Sequence, residues 1–310
     1  MVSVWVLVAA VGLAVAVWGS RRAVDSASRV ALGFGVSPFV VGAVLLSVGT
    51  DLPEVANSVV SSLSGNGDIN LGDSVGSAVT QITLILGLLP FLVGPFEVTR
   101  RRVQTIGLLT AVALTVLAVM VADGWMSRGD GMTLIVLWLG MSVFVAKRRL
   151  VASDPVLVVR PEKSMRLVAA TILALGIVAA GAMAAVFSLI EIAEILGLPE
   201  FLVSFFGLAI GTSLPELIVD FTALRQGQRD LAVGEVLGSS MVDASLSVGA
   251  GPAIAPVAVT VSYALWSSLM AVVVALLVTL VLSVRERHDR KSGFVFILMY
   301  AAMYPILLNA

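Results

Sequence analysis

Long apolar runs, separated by short polar and charged stretches, fill nearly the whole chain. Runs near the ~20 residues that cross a bilayer lie at 2–19, 36–64, 71–94, 103–123, 130–147, 166–190, 198–226, 231–256, 259–284 and 292–309. They predict an all-α integral membrane protein with ten spanning helices, five in each half. The second and seventh runs are overlong and contain Pro53 and Pro215, so each predicts two half-helices around a break at Gly49-Thr50 or Gly211-Thr212. The run from Gly131 to Ala146 is short and predicts a thin or tilted passage. The organisation expected is a first five-helix repeat over 1–150, a cytoplasmic connecting loop over 151–165 that contains Asp154-Pro155 and Arg160-Pro161, and a second repeat over 166–310.

The halves share one pattern. Gly49-Thr50-Asp51-Leu52-Pro53-Glu54 recurs 162 residues later as Gly211-Thr212-Ser213-Leu214-Pro215-Glu216. At the same offset Phe39 meets Phe201, Gly65 meets Gly227, Asp68 meets Asp230, Gly72 meets Gly234, Gly76-Ser77 meets Gly238-Ser239 and Gly87 meets Gly249. Every Lys and Arg except Arg128 falls in alternate loops: after the first, third, fifth, seventh and ninth runs. The positive-inside rule makes those loops cytoplasmic and puts both termini outside. The second helix then runs outward and the seventh, with the same motif, runs inward. Inverted repeats with interrupted helices are the design of secondary transporters.

Composition agrees with this class. With 310 residues, 59% hydrophobic and 13% charged, and a mean hydropathy of +1.06, the chain has more apolar surface than a soluble domain of its length can bury. Cysteine is absent, which excludes disulfides and thiolate metal sites, and His288 is the one imidazole. The net charge of −1 gives no sign of a nucleic-acid partner, and no Gly-Lys-Ser/Thr loop for a nucleotide is found. Residues 2–18 lack a preceding positive charge and are followed by Arg21-Arg22, so they read as a first spanning helix rather than a signal peptide.

Acids placed deep in this apolar frame carry the chemistry. A carboxylate near the centre of a membrane helix costs roughly 2.5–3.5 kcal/mol on insertion scales. Glu54, Glu216 and Asp243 fall at such depths, with Asp51 and Asp220 close by and no Lys or Arg at comparable depth. Five acids without a basic partner require bound cations or protons. Thr50 and Glu54, Thr212 and Glu216, Ser77 and Gln81, and Ser239 and Asp243 are each four apart, and each pair is expected to share a helical face. Carbonyls freed at the Pro-containing breaks add oxygen ligands. An all-oxygen, multi-carboxylate cage suits a hard cation such as Ca2+. Asp51 is equally placed to cap the second half-helix, and Asp220 to reach a cytoplasmic vestibule. Asp73 and Glu235 read as caps or rim charges, and Glu191, Glu194 and Glu200 as a solvated outer rim. Ser77 and Ser239 also suit close helix approach beside Gly76 and Gly238. A cation channel with acidic rings fits the broken, inverted helices less well. An intramembrane aspartyl protease would need two aspartates where the duplicated acids are Glu54 and Glu216.

These motifs resemble the cation/Ca2+ exchanger superfamily, and within it the compact prokaryotic Na+/Ca2+ exchangers. Their signature is Gly-Thr-Ser-Leu-Pro-Glu followed by Gly-Asp/Asn-x-x-Gly-Ser-Asn in each repeat. Here the pairs read GTDLPE with GDSVGSA, and GTSLPE with GEVLGSS. The resemblance implies a ten-helix antiporter of a prokaryotic plasma (inner) membrane, without a cofactor, exchanging Ca2+ for Na+ as its first and sixth helices slide across the other eight. It implies Glu54 and Glu216 as central Ca2+ carboxylates, with Thr50, Ser77, Thr212, Ser213, Ser239 and Asp243 completing Na+ and Ca2+ sites and carbonyls near Ser47, Ala209 and Thr212 contributing. The departures are Gln81 for Asn, Asp51 for Ser, Ala78 and Ser240 for the final Asn, and Asp220 as an added acid. Asp51 and Asp220 would raise divalent selectivity or carry protons, which makes an H+-coupled divalent-cation exchanger the alternative. A proton-coupled relative would show His after the motif Glu, where Val55 and Leu217 stand.

Overall fold

In the computed structural model of the chain, residues 2–147, 164–195 and 213–307 are described. The helices over them are α1 (Val2–Phe34), α2 (Pro38–Thr50), α3 (Leu52–Leu63), α4 (Gly67–Val93), α5 (Arg100–Met120), α6 (Arg128–Lys147), α7 (Ser164–Ile195), α8 (Leu214–Arg225), α9 (Arg229–Ile254), α10 (Val261–Arg285) and α11 (Arg290–Leu307). Among the described residues seven helices are long and apolar enough to cross a bilayer, and the bent pair α2–α3 makes an eighth. The protein is therefore an all-helical integral membrane protein. The connecting loop, and most of the seventh expected span, lie outside the described residues.

Helix ends follow local chemistry more closely than hydropathy does. The first run was expected to end at residue 19, yet α1 runs on to Phe34 and is 33 residues long in all. Arginine is a good helix former, so Arg21-Arg22 does not break it, and the Arg22 guanidinium lies 4.2 Å over the Trp18 ring. Gly65 and Gly227, matched in the sequence, do one job. Each adopts a positive φ, 74° and 76°, and closes its helix by paired backbone bonds: Gly65 N to Ser62 O with Asn66 N to Ser61 O, and Gly227 N to Leu224 O with Gln228 N to Ala223 O. This left-handed helix stop is one that a side-chain-bearing residue adopts only under strain.

Three helices carry a wider turn that hydropathy did not anticipate. Gln81–Ile85 in α4 and Asp243–Ser247 in α9 are π-helical, and a third such turn, Gly42–Leu46, lies in α2. Just beyond the first two sit Pro90 and Pro252. A proline in a helix leaves the carbonyl four residues back without its donor, here Leu86 O and Val248 O. Each is filled from another element. The Nε2–H of His288 donates to Leu86 O at 2.7 Å, and the Nδ2 of Asn70 donates to Val248 O at 3.1 Å. His288 is buried against Phe96 and Phe296, accepts from Ser292 Oγ at 2.9 Å, and burial lowers its pKa to about 4.

Two short antiparallel pairs brace the helix turns: β1 (Phe96–Glu97) with β4 (Arg287–His288), and β2 (Trp125–Met126) with β3 (Val257–Ala258). The core has two parts. One apolar cluster joins α4, α5, α6, α9, α10 and α11. The other joins α1 and α7 to α2, α8 and the start of α9. In that second part α1 and α7 meet at glycine: a Cβ on Gly12 would stand 2.7 Å from Gly181 O, and one on Gly181 would stand 2.7 Å from Gly12 O. With no hydrophobic drive between helices in lipid, such close backbone approach is the main source of attraction.

Candidate functional site

The break in the first motif falls at Asp51, one residue beyond Gly49-Thr50, and turns the axis from α2 to α3 by 45°. Pro53 lies in the first turn of α3, where its missing N–H harms nothing within that helix but leaves Gly49 O without an intrahelical donor. Asp51 (φ −79°, ψ 6°) and Ser213 (φ −89°, ψ 8°) share one backbone geometry, so the second motif enters α8 as the first enters α3. One expectation fails here. Thr50 ends α2 and Glu54 lies in the first turn of α3, across the bend, so the two do not share a helical face. The bend, not helical periodicity, sets their relation.

From these two entries the acids converge. One carboxylate oxygen each of Asp51, Glu54 and Glu216 lies within 4.8 Å of the others, and all three residues are buried. Opposed ligands of a single Ca2+ stand roughly 4.6–5.2 Å apart, given Ca–O distances of about 2.3–2.6 Å, so the triad fits one coordination sphere. Gln81 closes the cluster on another side, donating through Nε2 to Asp51 Oδ1 at 3.3 Å and to Asp243 Oδ2 at 3.2 Å. This placement of Asp51 replaces the cap reading, because its side chain makes no hydrogen bond to the α3 N-terminus.

Two of the remaining acids, Glu235 and Asp220, lie deeper than expected. Glu235 is fully buried and accepts from Thr50 Oγ1 at 2.9 Å and from Ser239 Oγ at 3.3 Å. Asp220 is likewise fully buried rather than at a vestibule, and its carboxyl lies within hydrogen-bonding reach of that of Glu235. A signal for Glu235 existed. Every residue from Leu231 to Val242 is buried, and a helix segment apolar all round, apart from small residues, has no solvent face on which to place a rim acid. Asp73, at the matching position, does stay half-buried and accepts from Asn57 Nδ2 at 2.6 Å.

Other expected positions vary. Ser77, Ser213 and Ser239 are buried, with Ser213 Oγ unpartnered. Ser47 is buried and its hydroxyl donates to Ala43 O at 2.9 Å. Ala209 and Thr212 lie outside the described residues, as does Glu200, while Glu191 is half-buried.

Charge makes the site unusual. Asp51, Glu54, Glu216, Asp220, Glu235 and Asp243 are all fully buried. The ion pairs among the described residues, Arg102–Asp230 and Arg285–Asp289, lie elsewhere. Both oxygens of Glu54, Glu216 and Asp220, and one each of Asp51, Glu235 and Asp243, have no donor. A buried, unpaired carboxylate costs several kcal/mol, and six together are tolerable only with cations or protons among them. The donors are oxygens throughout, which favours a hard cation over Zn2+ or Cu+; His288 is committed to Leu86 O.

The chain is similar to known proteins over its length. A family model described as sodium/calcium exchanger protein matches residues 4–147 and 166–308. The chain is 28% identical over 316 residues to the putative antiporter CaxA of Alkalimonas amylolytica, covering 97% of each chain. It is 34% identical over 260 residues to the inner membrane protein YrbG of Escherichia coli, covering 79% of this chain and 78% of the relative. To the sodium/calcium exchanger MaX1 of Methanosarcina acetivorans it is 26% identical over 348 residues, covering 99% of each. Among solved structures, the sodium-calcium exchanger NCX_Mj soaked with 10 mM Na+ and zero Ca2+ superposes with a TM-score of 0.83 at 26% identity, covering 98% of this chain and 99% of that one.

Proposed function

This chain belongs to the sodium/calcium exchanger family and is a membrane antiporter of the cation/Ca2+ class, not an enzyme, and from that premise we propose that it exchanges Ca2+ for Na+ by alternating access. The observation that carries the reading is the meeting of Asp51 and Glu54 with Glu216, one motif from each half of the chain, within 4.8 Å in a buried site. Glu54 and Glu216 hold Ca2+, with Asp51 as a third carboxylate. Thr50, Ser47, Ser77, Gln81, Thr212, Ser213, Ser239, Asp243 and the carbonyl of Ala209 complete overlapping Ca2+ and Na+ positions. The proposed frame is ten helices in two inverted repeats, 1–150 and 166–310, joined through 151–165, with both termini outside a prokaryotic inner membrane. The shared offset of the π turns at Gln81 and Asp243 supports the duplication, as does the family model's match to each half.

Coupling follows from charge. An empty cage of unpaired carboxylates is the costliest species to carry through hydrocarbon, so the cation-loaded cage changes conformation more readily. Exchange then proceeds in preference to leak, driven by the gradient of the counter-ion. The test is 45Ca2+ uptake into proteoliposomes under an outward Na+ gradient or an outward H+ gradient, with Glu54→Gln and Glu216→Gln as controls. Uptake driven by Na+ and abolished in both variants is expected. Uptake driven by H+ alone would shift the reading to proton coupling, for which the buried acids Asp51 and Asp220 are the favouring observation.

A further inference from the structure

We propose that Asp220 and Glu235 form a second hard-cation position, beside the Asp51–Glu54–Glu216 triad and separated from it by Thr50. The proposal rests on the exchanger reading only in taking Ca2+ and Na+ as the ions present. Its oxygens come from two helices. Asp220 lies one turn beyond Glu216 on α8, and Glu235 lies one turn before Ser239 on α9. The two carboxyls lie within hydrogen-bonding reach of each other. Glu235 Oε1 takes the Thr50 and Ser239 hydroxyls, at 2.9 and 3.3 Å, while Glu235 Oε2 and both Asp220 oxygens have no donor, although both residues are fully buried. Two carboxylates and two hydroxyls thus supply up to six oxygens, which reaches the lower end of the six to eight that Ca2+ takes.

Charge balance points the same way. Six fully buried carboxylates surround this region, Asp51, Glu54, Glu216, Asp220, Glu235 and Asp243. One Ca2+ in the triad neutralises two of their charges. Gln81, hydrogen-bonded to Asp51 and Asp243, is neutral and removes none. The surplus is concentrated where α8 meets α9, and no hydroxyl or amide can cancel it. A second cation between Asp220 and Glu235 offsets their mutual repulsion and supplies the three oxygens that lack partners. Thr50, whose hydroxyl lies against Glu235, then links the two positions, so that filling one alters the other. This predicts cooperativity between ions that the triad alone does not provide.

The experiment uses the purified full-length chain in detergent, with Asp220→Asn/Glu235→Gln together and Asp220→Asn alone, both near-isosteric and each checked by thermal unfolding. One arm measures bound 45Ca2+ per protein by equilibrium dialysis without Na+; the other measures the Hill coefficient for Na+ displacing a trace of 45Ca2+. Expected in the double variant is a loss of about one Ca2+ per protein if the position takes Ca2+, or a fall of about one in the Na+ Hill coefficient if it takes Na+. Asp220→Asn alone, which keeps an amide donor against Glu235, should weaken the same step. Unchanged values in both arms for folded variants would overturn the second position while leaving the exchanger reading intact, and a shared proton would give that result. A wild-type protein that binds neither ion would overturn both.

Discussion

Replacing Asp51 by Ser should make the empty protein more stable and the Ca2+-bound protein relatively less so. The backbone accepts the change, since Ser213 holds the same conformation in the second motif. Asp51 has a carboxylate oxygen within 4.8 Å of both Glu54 and Glu216. At an effective dielectric of about 20, each ionised pair at that distance repels by about 3.5 kcal/mol, and two such pairs disappear in Asp51→Ser. Gln81 loses its 3.3 Å bond to Asp51 but keeps the one to Asp243, which returns roughly 1 kcal/mol of the gain. With Ca2+ bound, the same carboxylate is attractive, and removing one partner from a buried ionic cluster costs about 3–5 kcal/mol. Ca2+ affinity should therefore fall roughly 10²–10⁴-fold, and the stabilisation by a fixed, saturating Ca2+ concentration should shrink by about 3–5 kcal/mol. The assay is thermal unfolding in detergent with EGTA and across a Ca2+ titration. A variant with an unchanged or lower melting temperature in EGTA, and a Ca2+ dissociation constant within about threefold of wild type, would refute the assignment of Asp51 to the triad.

Two further predictions concern the carbonyls freed by proline. Because burial lowers the His288 pKa to about 4 from 6.5, the fold favours the neutral ring; its contribution is fully present above pH 6.5 and is lost as pH falls from 6.5 towards 4. The loss reaches roughly 3 kcal/mol, and His288→Gln should remove that part of the slope when unfolding free energy is compared with wild type at each pH; an identical slope would disprove the role. Asn70→Leu leaves Val248 O unpaired and should cost about 1–3 kcal/mol. Pro252→Ala restores an N–H for that carbonyl, so the double variant should recover much of the loss in a denaturation cycle, and additive effects would show that Asn70 acts elsewhere.

Several features were legible because they depend on one segment at a time. Apolar run length identified a membrane protein, and the paired motifs around Glu54 and Glu216 identified its family, because bilayer thickness and proline chemistry act on any chain that carries them. Gly65 and Gly227 could be matched by position alone, though their helix-ending geometry is seen only in the backbone. The boundary of α1 was misread because hydropathy falls at Arg21-Arg22 while helix propensity does not.

What the tertiary structure decided are relations between segments far apart in sequence. Helical periodicity says which residues share a face, but not which helix that face meets. Glu235 was taken for a cap or rim acid because nothing in its own turn reveals that Thr50, 185 residues away, donates to it. Gln81 could be noted as a departure from the family pattern, yet its bridge between Asp51 and Asp243 exists only where α4 passes between the α2–α3 break and the π turn of α9. Pro90 and Pro252 each free a carbonyl, and only the fold shows that a histidine fills one and an asparagine the other. By itself, then, the sequence determined the membrane class, the family and the supply of buried charge, since length, proline and carboxylate chemistry are local. The fold alone determined which charges face one another, since Coulomb and hydrogen-bond energies depend on distances that no single segment contains.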